Sequence, residues 1–266
     1  MCNVQNISWS FPEMSNYMHY PKFEKNKSVF LIGDSTDRNK INAVCGWFKE
    51  TPVSYIEGLH LENSHGNSGY ASCDLGNIVV GQFMHYGVMD QPYFQYAYPI
   101  PFQLQNESYA HISKDATRFR TRINGQDPTL IVVQSYAWDI AAECQRNRHH
   151  VKSDLLKGNV EDWFQRNLRM LTHVRNTFPQ SRIMWRTSHP YTEYCATRSL
   201  IDKMNQIMRT RLPAYGIHMA EWNLLMTSPS TPKKCKNKLH VSDECNLPYM
   251  NIILNQLLYN KCRTGR

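Results

Sequence analysis

Ser28-Val-Phe-Leu-Ile-Gly33-Asp34-Ser35-Thr-Asp-Arg38 is the stretch from which the fold is read. Residues 28–33 are short, apolar and β-branched and end in Gly, the pattern of a strand buried on both faces. Residues 36–48 carry Ile41, Val44, Cys45 and Phe48 at spacings of three and four, which predicts an amphipathic helix. A buried strand running straight into a helix is half of a βαβ unit, and such units build parallel sheets. Further strands are predicted at 51–57, 77–84, 129–134, 182–187 and 217–220. Helices are predicted near 108–117 and at 159–177, 197–212 and 246–260. Residues 58–76 and 223–238 read as loops, and 87–128 as a long, proline-containing excursion. The expected fold is α/β, a three-layer α/β/α sandwich with a mostly parallel sheet covered on both faces. One domain is expected over 28–262, after an irregular arm at 1–27.

Composition narrows the function. Of 266 residues, 30 are Lys or Arg and 22 Asp or Glu, so the net charge is +8. At 41% hydrophobic residues this is a chain with a core. No apolar stretch reaches the roughly 18 residues of a membrane span. Neither a membrane anchor nor the apolar stretch of a secretory leader is visible in this chain. The basic clusters at 118–122, 146–150 and 233–238 are short and lack interleaved aromatics. They read as solvated surface, and no nucleic-acid partner is expected. His60, His65, His149, His150 and His218 lack metal-ligand spacing, and there is no Gly-rich phosphate loop. No metal and no cofactor is expected.

The eight cysteines are Cys2, Cys45, Cys73, Cys144, Cys195, Cys235, Cys245 and Cys262. Their even number and wide spacing suit four disulfides. With Asn-x-Ser sequons at Asn6, Asn26 and Asn106 they favour a secreted or lumenal protein. Cys235–Cys245 is the first expected bridge, because its short loop closes without long-range rearrangement. Cys45–Cys73 is the next. The partition of Cys2, Cys144, Cys195 and Cys262 stays open.

Two places carry chemistry. Gly33-Asp34-Ser35 stands where a strand stops and a helix starts, and open parallel sheets bind ligands beyond the carboxyl ends of their strands. Asp34 and Ser35 also suit a plain helix cap. A nucleophilic Ser needs a base, and a base needs an orienting partner. His240, in Asn237-Lys-Leu-His240-Val-Ser-Asp243 just before the last helix, is the candidate base. Cys235 and Cys245 bracket it symmetrically, so a bridge between them would hold its loop.

Together these residues resemble the SGNH (GDSL-type) hydrolases, and more narrowly the PC-esterase branch with its plant and animal glycan O-acetylation proteins. The similar segments are Ile32-Gly-Asp-Ser35-Thr-Asp-Arg38, Phe83-Met-His-Tyr-Gly87-Val, Val132-Val-Gln-Ser-Tyr-Ala-Trp138-Asp139, and Asn237-Lys-Leu-His240-Val-Ser with Ile253-Leu-Asn-Gln-Leu-Leu. They fall in family order over roughly 28–260. The resemblance implies a flavodoxin-like sandwich. It implies an ester hydrolase or O-acetyl transferase acting on acylated glycans, with no cofactor. Ser35 would be the nucleophile and His240 the base. The backbone N–H groups of Ser35 and Gly87, with the Gln134 amide, would form the oxyanion hole. Arg38 would fix the first loop or bind a glycan oxygen. Asp34 and His189 would lie at the substrate pocket, while Trp138 and Asp139 would buttress a strand end.

Two positions depart from the family pattern. The acid three residues before the His is Asn237, and the oxyanion-hole Asn is Gln134. Asn can orient an imidazole but cannot stabilise an imidazolium by charge. Asp243, Glu244 and Glu221 are the substitute carboxylates, Asp243 being nearest in sequence. An Asn237→Asp change should raise turnover if the loop places this side chain against His240. The rival reading is a catalytically silent glycan-binding protein on the same fold. The sequence leaves hydrolase versus transferase, the glycan and the oligomeric state open.

Overall fold

A computed structural model of the chain describes residues 26–48, 53–55, 70–75, 78–85, 87–89, 112–113, 116–146, 159–191 and 196–257. The expected arm lies almost wholly outside them. The strands are β1 Lys27–Gly33, β2 Val53–Tyr55, β3 Tyr70–Asp74, β4 Ile78–Met84, β5 Leu130–Val133, β6 Arg182–Arg186 and β7 His218–Ala220. The helices used below are α1 Ser35–Trp47, α2 Ala137–Arg146, α3 Asn159–Thr177, α4 Arg198–Arg211, α5 Trp222–Thr227 and α6 Asp243–Asn255.

The strands form one seven-stranded sheet in the order β2-β3-β4-β1-β5-β6-β7. From β4 to β7 all neighbours are parallel, and β3 is antiparallel to both β4 and β2. After β1 the chain lays down β2, β3 and β4 on one side and then crosses to β5 on the other. The carboxyl end of β1 is therefore a topological switch point, where such sheets open a crevice for ligands.

Strand period 2 sorts the core into two layers. Phe30 and Ile32 face one cluster with Phe119, Trp163, Phe164, Ile201 and Met204, under α3 and α4. Val29 and Leu31 face the other with Ile41, Val44, Trp222, Tyr249 and Ile253, under α1, α5 and α6. The sheet is covered on both faces, as the unbroken apolar runs require.

Four elements differ from the sequence reading. Residues 58–76 contain β3, whose Tyr-Ala-Ser-Cys-Asp lacks the Val and Ile that mark most of the other strands. It pairs with β4 and is tied to α1 by Cys45–Cys73, Cα–Cα 6.1 Å. Helix α2 was not expected, and α5 lies, but for its first residue Trp222, inside the span read as a loop. The last helix begins at Asp243 rather than 246, with Ser242 at its N-cap position. Pro248 lies inside it, near enough to the start to mask the true first turn.

The expected Cys235–Cys245 bridge is present, Cα–Cα 5.8 Å. Cys2, Cys195 and Cys262 lie outside the described residues, as does the Cys144 side chain. No helix among the described residues is long and apolar enough to cross a membrane.

Candidate active site

Ser35 is the first residue of α1, directly beyond β1. Asp34 caps the helix: its Oδ1 accepts from Thr36 N at 2.8 Å and from Thr36 Oγ1 at 2.6 Å. This cap turns the chain sharply and leaves Ser35 at the helix N-terminus, where the peptide dipoles favour negative charge. Gly33 makes the turn possible. A Cβ there would collide with the Asp37 carboxylate and lie 2.8 Å from Gln134 Nε2.

His240 arrives from the far end of the chain, with Ser35 Oγ 2.6 Å from its Nε2. The ring is exposed, yet its neighbours are not: Leu239 is 4% and Val241 8% exposed. Leu239 belongs to one core layer and Val241 to the other, so the backbone is pegged on both sides of His240. The Cys235–Cys245 bridge closes the loop behind it.

Beneath Ser35 lies a buried charged layer that the sequence reading missed. Arg186, at the end of β6, is 2% exposed. Its Nε is 2.9 Å from Asp37 Oδ1, and its Nη2 donates to Thr36 Oγ1 at 2.8 Å and lies 4.0 Å from Asp34 Oδ1. Burial pushes the Asp34 pKa up, but the Arg186 charge and the Thr36 and Gln134 side chains outweigh it and hold it below the usual value. Lys40 donates to Thr36 O at 3.0 Å and lies over the Trp222 and Tyr249 rings. Burial, with Arg186 nearby, brings its pKa down to about 7. The available signal was an arginine at the end of the apolar Ile-Met-Trp run of a buried strand.

The ends of β4 and β5 form the other wall. Gly87 has φ 91, a backbone conformation that favours glycine. The next two N–H groups, of Val88 and Met89, donate to Asp139 Oδ1 at 2.7 and 2.9 Å. Ser135 Oγ and Trp163 Nε1 donate to Asp139 Oδ2. Burial pushes the Asp139 pKa up against the pull of these donors. Asp139 thus ties the glycine segment to β5 and α2, the buttressing expected of it. His85 Nε2 is 3.1 Å from Ser135 Oγ, and burial takes the His85 pKa down to about 4.

The other expected site residues are mostly buried. Asp34 is 3% exposed, with its carboxylate in the helix cap. Arg38 is half-buried on α1, and a second guanidinium, that of Arg186, reaches Asp34 and Asp37. Gln134 is 1% exposed, with both amide atoms shielded from solvent beside Gly33. The amide lies by the Asp34 carboxylate, without a partner in hydrogen-bond geometry. His189 is 2% exposed, with Lys238 O and Trp222 Nε1 against its two ring nitrogens.

Asn237 is exposed with φ 59, and no hydrogen bond joins its side chain to His240. Asp243 is exposed in the first turn of α6 and makes no such bond either. Glu244 pairs with Lys234 at 2.6 Å, and Glu221 with Arg209 at 2.7 Å. Among the described residues, no cluster of His, Cys, Asp and Glu has the arrangement of a metal site.

No protein-family model and no curated protein matches the chain. Among solved structures it is similar to a provisionally named platelet activating factor from Streptococcus pneumonia, with a TM-score of 0.51 and 13% identity, over 93% of this chain and 90% of that one. It is also similar to a GDSL-like lipase from Bacteroides thetaiotaomicron, with a TM-score of 0.49 and 11% identity over 94% of this chain and 95% of that one. A carbohydrate esterase family 3 protein from Talaromyces cellulolyticus gives 0.46 and 12%, over 87% and 98%. At these identities the likeness is one of fold, and the fold is the sandwich that the sequence implied.

Proposed function

We propose that this chain is an SGNH-type serine esterase or O-acyl transferase of the PC-esterase kind, acting on O-acylated glycans. The observation that carries the reading is the 2.6 Å contact between Ser35 Oγ and His240 Nε2 at the switch point of the sheet. Ser35 Oγ attacks the ester carbonyl carbon as its proton passes to His240 Nε2. The carbonyl oxygen becomes negative beside the α1 N-terminus, where the Ser35 N–H and the glycine segment at Gly87 supply donors. Collapse of the tetrahedral intermediate releases the alcohol, which takes the proton back from His240. Water or a sugar hydroxyl, deprotonated by the same ring, then attacks the acyl-Ser35 ester.

The glycan comes from the resemblance of the four motifs, which leaves hydrolysis and transfer both open. The two disulfides suit a secreted or lumenal setting for such a substrate. A fluorophosphonate probe and an acetyl ester such as 4-nitrophenyl acetate test the reading. The wild-type chain should be labelled at Ser35 and turn the ester over. Ser35→Ala should lose the label and lower turnover by at least about a thousandfold. A folded wild-type chain that neither labels nor turns over, yet binds acetylated glycans, would establish the silent glycan-binding reading instead. The exposed Asn237, unbonded to His240, is the observation favouring that outcome.

A further inference from the structure

The loop that carries His240 is held from below by a second histidine. His189 lies in the segment that leaves β6, and its Nε2 is 2.6 Å from Lys238 O, two residues before His240. A carbonyl oxygen only accepts, so this nitrogen carries the hydrogen. Trp222 Nε1–H donates to the other nitrogen, Nδ1, at 2.7 Å. An indole N–H only donates, so Nδ1 must be the bare one. The two contacts together fix both the tautomer and the rotation of the ring. Trp222 is 0% exposed and packs edge-on against His189, with centroids 5.6 Å apart, so neither ring has room to turn. Tyr191, two residues on, bridges to Asn237 by backbone pairing. The 189–191 segment therefore grips the 237–238 backbone at two successive points. Burial brings the His189 pKa down to about 3, so it remains the neutral donor this grip requires at any pH at which an esterase works.

We propose that His189 is a positioning residue for His240: by donating to Lys238 O in the single tautomer set by Trp222, it registers the His240 loop against Ser35. The proposal deepens the esterase reading above and rests on His240 meeting Ser35. A main-chain carbonyl held two residues upstream, with Leu239 and Val241 pegged in opposite core layers, leaves the imidazole little freedom beyond its own side-chain torsions. An error of about 1 Å in such an alignment costs about a hundredfold in rate.

The test uses His189→Phe, which keeps a buried ring but loses the donor. His189→Gln keeps a donor and an acceptor, and Trp222→Phe frees the tautomer. Two readouts are taken: ester turnover with fluorophosphonate labelling, and the pH titration of the His240 imidazole by NMR, with and without Ser35→Ala. In the wild type, removing Ser35 should shift the His240 titration. In His189→Phe that dependence should vanish and kcat should fall at least about tenfold with little change in KM. His189→Gln should restore much of both, and Trp222→Phe should lie between. A folded His189→Phe with unchanged kcat and an unchanged Ser35-dependent titration overturns the proposal and leaves the esterase reading standing. If His189→Phe does not fold, an unaltered Trp222→Phe overturns it. A wild type that does not label, but whose His240 titration loses its Ser35 dependence in His189→Phe, supports the positioning and removes the esterase. A wild-type His240 indifferent to Ser35 overturns both.

Discussion

Asn237 shows what a single residue contributes and what it does not. It stands at the acid position by sequence count, but its backbone is left-handed, at φ 59, and its exposed side chain makes no hydrogen bond to His240. The condition for a gain from Asn237→Asp is not met, so the substitution should leave kcat within about twofold of wild type. A clear rise in kcat would mean that the loop swings the side chain onto the ring during turnover. Gly33 is the opposite case, a residue whose lack of atoms is its role. Gly33→Ala would drive a methyl group into the Asp37 carboxylate and the Gln134 amide. It should cost about 1–3 kcal/mol by overpacking, read as a lowered thermal midpoint, and should displace Ser35 and weaken fluorophosphonate labelling.

At the scale of elements, the candidate site is a meeting of three strand ends and one loop. Helix α1 presents Ser35, the β4 and β5 ends present the glycine segment through Asp139, and the segment after β6 holds the His240 loop. The Cys235–Cys245 bridge spans a sequence separation of only 10, so it fastens the loop rather than joining distant parts of the fold. Replacing both cysteines with serine should lower stability by about 3 kcal/mol on the chain-entropy account. Esterase turnover should fall further than the fraction of folded protein does, since the loop next to His240 loosens first. Denaturant unfolding read beside kcat separates the two effects. A kcat that merely tracks the folded fraction would mean that Leu239, Val241 and His189 suffice to hold the loop.

Across the whole molecule, the buried titratable groups link stability to pH. The His85 pKa is about 4 in the folded chain, against about 6.5 when unfolded. Between these values the unfolded chain binds a proton that the folded chain does not. Stability is therefore full above about pH 6.5 and falls as pH drops toward 4. His189 acts with the same sign and reaches lower, to about 3. His85→Gln should flatten the dependence of unfolding free energy on pH between about 4 and 6.5, by up to about 1.4 kcal/mol per pH unit. The slope is the readout, whatever the variant does to absolute stability. An unchanged slope would mean that His85 already binds its proton when folded.

The βα unit around Gly33-Asp34-Ser35 was legible because strand, cap and helix are local matters, decided by apolar runs, by spacing and by what Asp and Gly do at a turn. The His240 loop was legible because two cysteines bracket it and a helix follows. The alternation of elements was enough to imply a parallel sheet with two covered faces. Strand β3 was not legible, because its place in the sheet is set by pairing with β4 and by the Cys45–Cys73 bridge to α1. The contacts of Arg186 and His189 were not legible, because their partners lie 149 and 49 residues away and no local pattern reports such distances. Gln134 and Asn237 were placed by counting along motifs, which conserves position in the chain but not the direction of a side chain. Local physics thus determined the sandwich and nominated Ser35 and His240. Which buried charges and hydrogen bonds surround them was decided only when packing brought distant strand ends together, because electrostatics and hydrogen bonds act through space.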